Sequence, residues 1–525
     1  MAAPLAAVRG GTLRGLQRDG ARTFLGIPYA APPLGELRLR APHPAPAWQG
    51  ERDATAYGPI APQPDLHGEP GWLLDNPGGI DASGRPIEVA QSEDCLTLNV
   101  FAPEPRPGEG PRPVLVWLHG GGLRTGAGRT AVYDGTAMAR EGRVVVVTIN
   151  YRLGILGWLC HPELREGDGP CGNWGMLDQI AALDWVRDNI AAFGGDPGNV
   201  TVAGQSAGAS SIAGLLACRD RARFHKAIAQ SAAPKSLSLD EAAAVAERIR
   251  AALGVASIAA IRTVPAPDLV AALKHVEGAG GAMALLVSAD GFLFRDAPMT
   301  LLEAGAAAGV PLLFGTTRDE WRRYLHADPR AGSLDRAGLL RRLERAMPGD
   351  PEPLAALYEQ ARAARGEGTA PWEVWFDACG DSYFRIPAYR LAAALSAHRS
   401  PVFAYRFDWP AEAEGGRFGA MHAFEIPFAF GNTANPEIAD LIGADAGAAA
   451  LSRHMLGAWS AFAHRGDPGT PDLPAWPRFD AASRRVMALG RVCRVEDAPL
   501  DAPLRAVEAR IAGRTGRPLG ITRAR

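Results

Sequence analysis

The chain has 525 residues, 47% of them hydrophobic and 21% charged, with a formal net charge of −2 at pH 7. So balanced a charge gives no electrostatic pull toward nucleic acid or an anionic membrane, and neither is expected as a partner. No apolar run reaches the roughly 18 residues that a membrane span requires. Residues 1–11 are neither basic nor apolar enough for a secretory leader, so a cytoplasmic protein is expected. Six cysteines in a chain this long make no dense disulfide framework, although Cys160 and Cys171 are close enough in sequence to leave a pairing open.

Residues 1–60 read as short β pieces and turns, followed by a Pro- and Gly-rich loop over roughly 59–88. Alternation over Cys95 to Phe101 predicts a strand. Pro113 to Leu118 and Arg143 to Asn150 are continuous apolar runs of strand length, as expected of a sheet covered on both faces. Between Asp178 and Phe193 the apolar residues recur at helical spacing, and Val200 to Ala203 returns to strand. Such alternation predicts an α/β protein with a central, mostly parallel sheet flanked by helices. Ala-rich helical text fills approximately 235–310 and 325–400, and Val402 to Phe407 is a late strand. The expectation is one domain over 1–525, with those helical stretches as insertions forming a cap; Arg514 to Arg525 is a basic end.

Gly204-Gln205-Ser206-Ala207-Gly208 joins the predicted strand to an apolar helix. A nucleophilic serine needs a sharp turn that lifts its hydroxyl above the sheet, and the flanking glycines remove side chains that would clash there. His119-Gly120-Gly121-Gly122 follows another buried strand. A tetrahedral intermediate carries negative charge that backbone N–H groups must already face. Gly121 and Gly122, with Ala207 after the serine, are therefore the candidate oxyanion hole.

Two longer segments extend the reading. Phe193 to Gly208 and Glu93 to Pro103, with further text at Phe24 to Pro33, Asn150 to Arg152, Asn173 to Gln179 and Phe224 to Ser231, resemble the type-B carboxylesterases. That family includes the cholinesterases and the bacterial p-nitrobenzyl esterases, and the likeness spans roughly residues 8–490. The resemblance implies an α/β-hydrolase fold and a serine carboxylester hydrolase that acts on a small ester and water without cofactor or metal. Gly315 to Glu320 is similar to the family's acid motif, making Glu320 the orienting carboxylate with Asp319 its rival. Phe418 to Phe428 is similar to its histidine motif, making His422 the general base. Ser231 matches a serine that supports the histidine–glutamate pair.

Departures argue against a cholinesterase and for the bacterial branch. Gln205 stands where cholinesterases carry Glu, Arg85 where a choline-binding tryptophan is expected, and no cysteine precedes Cys95 to close a loop with it. Leu123 and Trp321 are candidate substrate contacts, with loop packing the duller reading for Leu123; Trp174 is read as core. His161-Pro162-Glu163 with Pro170-Cys171 resembles part of a zinc-deaminase signature, but position 174 is Trp where the second cysteine would be required. An amidase or carbamate hydrolase with the same triad is the nearest alternative, and a catalytically inactive cholinesterase-like binding protein the next. A monomer is the default expectation, with a dimer left open.

Overall fold

The computed structural model describes residues 3–65, 77–78, 87–218, 223–278, 283–328, 330–443, 445–498 and 501–511. Arg85 and the basic end at 514–525 lie outside the described residues.

An 11-stranded sheet organises the molecule. Its strands, in chain order, are β1 (Leu16–Arg18), β2 (Ala21–Pro28), β3 (Thr97–Pro103), β4 (Arg112–Leu118), β5 (Val145–Ile149), β6 (Gly195–Gln205), β7 (Lys226–Gln230), β8 (Leu312–Thr317), β9 (Val402–Phe407), β10 (Val486–Leu489) and β11 (Arg494–Glu496). Across the sheet they run β1-β2-β3-β5-β4-β6-β7-β8-β9-β10-β11. Every pairing from β5 through to β10 is parallel, whereas both ends of the sheet are antiparallel. The parallel centre requires crossovers that cover both faces. Accordingly Val114 to Leu118 and Val145 to Val147 are all fully buried.

Helices cover the sheet. Helix α1 (Trp174–Asn189) begins four residues before the expected Asp178. Its extra turn forms because Trp174, Gly175 and Met176 are buried, and Gly194, at φ +83°, ends the 3₁₀ turn that follows. Helix α2 (Ala207–Ala217) leaves β6 with Ser206 as the only intervening residue. The stretch over 235–310 holds α3 (Leu239–Leu253) and α4 (Ala266–Glu277). That over 325–400 holds α5 (Arg336–Ala346), α6 (Pro351–Ala364), α7 (Pro371–Gly380) and α8 (Ile386–Ala397). Leu273 of α4 packs over Gly154, and Met283 beyond it sits over Gly122, so this helical stretch reaches the glycine loop after β4. Among the described residues no helix is long and apolar enough to cross a membrane.

β7 and β8 lack the β-branched run of Val144 to Val147, and no strand was expected at either. They are strands because they lie in the parallel centre and are buried throughout. Burial on both faces, rather than local propensity, decides such short segments.

Candidate active site

Ser206 occupies the turn from β6 into α2 with φ +56° and ψ −119°. A residue with a side chain held there carries strain of about 1–3 kcal/mol and persists only when its surroundings over-determine it. They do so here. The Ser206 amide donates to the Gln230 carbonyl at 2.9 Å, and the Ser206 carbonyl accepts from the Ser210 amide at 2.8 Å. A Cβ on Gly208 would stand 2.0 Å from the Leu118 carbonyl, and one on Gly204 would stand 2.8 Å from both Leu118 O and Gly208 C. Both glycines are therefore steric requirements of the turn.

The loop after β4 lies against this turn: a Cβ on Gly120 would come 3.2 Å from Ser206 Cβ. Gly121 and Gly122 both have positive φ, at +105° and +63°. The Gly121 carbonyl is turned away to accept from the Thr125 amide at 3.0 Å and the Thr125 hydroxyl at 2.9 Å. The amides of Gly121, Gly122 and Ala207 donate to no group among the described residues. His119 beneath them stacks on Tyr151 with centroids 4.3 Å apart, and burial lowers it to about 4. It is thus neutral at pH 7, bracing the loop through its Nδ1 contact with Gly120 O.

Glu320 and His422, 102 residues apart in sequence, meet beside this turn: His422 Nδ1 and Glu320 Oε2 are 2.5 Å apart. Both are almost fully buried, with Glu320 1% and His422 2% exposed. Glu320 Oε1 accepts from the Ser231 hydroxyl at 2.7 Å and the Thr317 amide at 2.8 Å. With Nδ1 donating to the carboxylate, the His422 lone pair sits on Nε2, where the Gln205 amide meets it at 3.0 Å. Phe384 packs on the imidazole with centroids 4.3 Å apart, and Tyr324 lies 6.2 Å away.

The comparisons with known proteins show the family. The model of the carboxylesterase family matches residues 2–505. The chain belongs to the carboxylesterase family. It is 38% identical over 500 residues to a phenmedipham hydrolase of Pseudarthrobacter oxydans, covering 93% of this chain and 95% of that protein. It is 37% identical over 506 residues to the para-nitrobenzyl esterase of Bacillus subtilis strain 168, with the same coverage of 93% and 95%. A solved carboxylesterase of Geobacillus stearothermophilus superposes with a TM-score of 0.82 at 35% identity, covering 96% of this chain and 99% of that one. The fold is therefore the α/β-hydrolase fold, and the enzyme is a carboxylesterase.

In this carboxylesterase Asp319, the rival acid, turns away from the imidazole. It accepts from the Ala420 amide at 2.8 Å and lies beside Arg318 and Arg322. Burial opposes its charge, but the two guanidiniums outweigh burial and hold the carboxyl below its usual range. Asp319 thereby pins the segment bearing His422. Leu123 is 4% exposed, and its carbonyl accepts from the Gly154 amide at 2.8 Å. Trp321 is half-buried in a ring cluster with Tyr324 at 4.8 Å and Tyr383 at 5.3 Å. Trp174 is 1% exposed, in the core as expected. Cys160 and Cys171 are free thiols with sulfurs 3.8 Å apart.

Other residues around the site carried no sequence signal. Arg385, buried and paired with Asp381, donates to the carbonyls of Thr317 and Arg318, each at 3.0 Å, and so holds the strand end that presents Glu320. Glu425 is fully buried and accepts from Gln230 Nε2 at 3.0 Å; the same Gln230 supplies the carbonyl that holds Ser206. Burial, followed by the nearby Glu320 charge, raises Glu425 to about 8. A spacing rule would have found neither, because each acts through a partner from a distant segment. Among the described residues no three His, Cys, Asp or Glu side chains group so as to hold a metal ion.

Proposed function

We propose that this carboxylesterase hydrolyses its ester through an acyl-enzyme on Ser206, with His422 as general base and Glu320 as the carboxylate that orients it. The observation that carries the reading is the Ser231–Glu320–His422 hydrogen-bond series ending on the imidazole edge beside Ser206. Glu320 Oε1 already accepts from Ser231 and Thr317 while Oε2 faces Nδ1, and this fixes the tautomer in which Nε2 can take a proton.

In this mechanism the Ser206 hydroxyl displaces the Gln205 amide from His422 Nε2 and hands its proton to that nitrogen as it attacks the carbonyl. The oxygen that gains charge is received by the amides of Gly121, Gly122 and Ala207. His422 then protonates the leaving alcohol, the acyl group stays on Ser206, and water repeats the cycle to release the acid. Gln205 keeps the imidazole placed between turnovers. Leu123 and Trp321 belong to the walls of the substrate cavity.

Initial rates on p-nitrophenyl esters from acetate to decanoate, comparing wild type with Ser206→Ala and His422→Ala, test the scheme. Losses on the order of 10⁴-fold or more in both variants are expected. A Ser206→Ala enzyme that keeps its rate would remove Ser206 as nucleophile.

A further inference from the structure

The Lys235 ammonium is buried and has no hydrogen-bond partner among the described residues. Its Nζ lies 3.5 Å from the centroid of the Tyr383 ring. Burial alone governs its titration, lowering it from 10.5 to about 7, and no carboxylate acts against that. An ammonium kept from water without a counter-ion is costly, and attraction to one ring face offsets only part of the cost.

Two independent series of contacts lead from the reacting residues to this lysine. One starts at Ser206, whose carbonyl accepts from the Ser210 hydroxyl at 3.1 Å. Ser210 Oγ accepts from the Ala233 amide at 3.1 Å, and the Lys235 amide donates to the Ala233 carbonyl at 2.7 Å. The other starts at His422 and passes through Phe384 at 4.3 Å to Tyr383, a further 4.7 Å on, which is the ring under Lys235. Beyond Tyr383 one pair of charges is already matched. Arg124 and Glu277 pair at 2.8 Å, and Glu277 also accepts from the Ala284 amide at 3.0 Å. Lys235 Nζ has neither a hydrogen-bond nor an ion-pair partner among the described residues.

We propose that Lys235 Nζ receives an anionic group of the substrate, so that the preferred esters carry a carboxylate remote from the scissile bond. The proposal rests on the reading of Ser206 and His422 as the reacting pair. A bound carboxylate supplies the missing counter-ion and accepts the hydrogen bonds that Nζ makes to nothing else, a charge-assisted contact in a site shielded from water. A neutral ester of the same length leaves the ammonium unmatched. Hydrolysis of a hemi-ester adds one water and releases a dicarboxylate and an alcohol, with Lys235 taking no part in bond breaking.

The test compares kcat/KM for monoethyl adipate, pimelate and suberate with the ethyl esters of neutral acids of matched length. A second set places the carboxylate on the alcohol side, as 4-acetoxybutyrate against its methyl ester. Each ratio, anionic over neutral, is read within one protein, so that a general loss of activity cancels. Wild type is expected to favour the anionic member of at least one set, and Lys235→Met to lower that ratio about 30-fold or more, while Lys235→Arg retains most of it. No anionic preference in either set, or a preference that survives Lys235→Met, overturns the proposal. Failure of wild type on all neutral and anionic esters would instead overturn the ester-hydrolysis reading beneath it.

Discussion

His422 Nδ1 and Glu320 Oε2 approach to 2.5 Å although 102 residues separate them, and both side chains are withdrawn from solvent. A charge-assisted bond in such a place is strong and directional. It holds the ring in one tautomer, and in the proposed mechanism that is its contribution to chemistry at the other nitrogen.

Glu320→Gln should therefore leave the chain folded but lower kcat on the order of 10⁴-fold, because an amide donor can face Nδ1 and favour the wrong tautomer. Steady-state kinetics on p-nitrophenyl butyrate, with circular dichroism to confirm the fold, gives the answer. A loss smaller than tenfold would show that Glu320 does not orient the ring.

Ser231 is fully buried, and its hydroxyl donates to Glu320 Oε1 at 2.7 Å. Ser231→Ala removes a hydrogen bond to a charged group, expected to cost about 1.5–3 kcal/mol of stability. The carboxylate keeps its Thr317 amide, so kcat should fall far less than in Glu320→Gln. Urea denaturation beside kinetics separates the two effects; unchanged stability would contradict the bond's role.

Gly121 sits at φ +105°, and a Cβ there would stand 2.2 Å from the Thr125 carbonyl. Gly121→Ala must rotate the loop and turn its amide away from the oxygen that it is proposed to receive. The loss expected for one missing donor is roughly 10²–10³ in kcat, with KM little altered. Equal kcat in the variant would place the oxyanion donors elsewhere.

Glu425 is raised from 4.5 to about 8, chiefly by burial and secondly by the Glu320 charge. Between those values the folded protein holds a proton that the unfolded chain has released. Stability is thus fully present below about pH 4.5 and is lost as pH rises through about 8, by up to about 5 kcal/mol. Glu425→Gln, which mimics the protonated acid, should flatten that slope. Melting temperatures of both proteins from pH 5 to 9 measure it, and parallel curves would show that Glu425 does not titrate in this window.

What could be read from the chain alone was what short segments dictate. Gly204 and Gly208 are needed because any Cβ there meets backbone, and the buried runs at Val114–Leu118 and Val145–Ile149 announce a sheet covered on both faces. Pattern failed for β7 and β8, whose sequences are short and mixed and whose strand character follows from their neighbours. Glu320 and His422 were placed by likeness of motif, since nothing local distinguishes Glu320 from Asp319.

The sequence by itself determined the strained turn at Ser206 and the glycine loop at 119–122, because backbone sterics act within a few residues. Only the tertiary structure decided which carboxylate meets His422, that Gln205 meets Nε2, that burial raises Glu425 and that Lys235 Nζ has no hydrogen-bond partner among the described residues. Burial and hydrogen-bond partners depend on segments that lie far apart along the chain, and they exist only once those segments have packed.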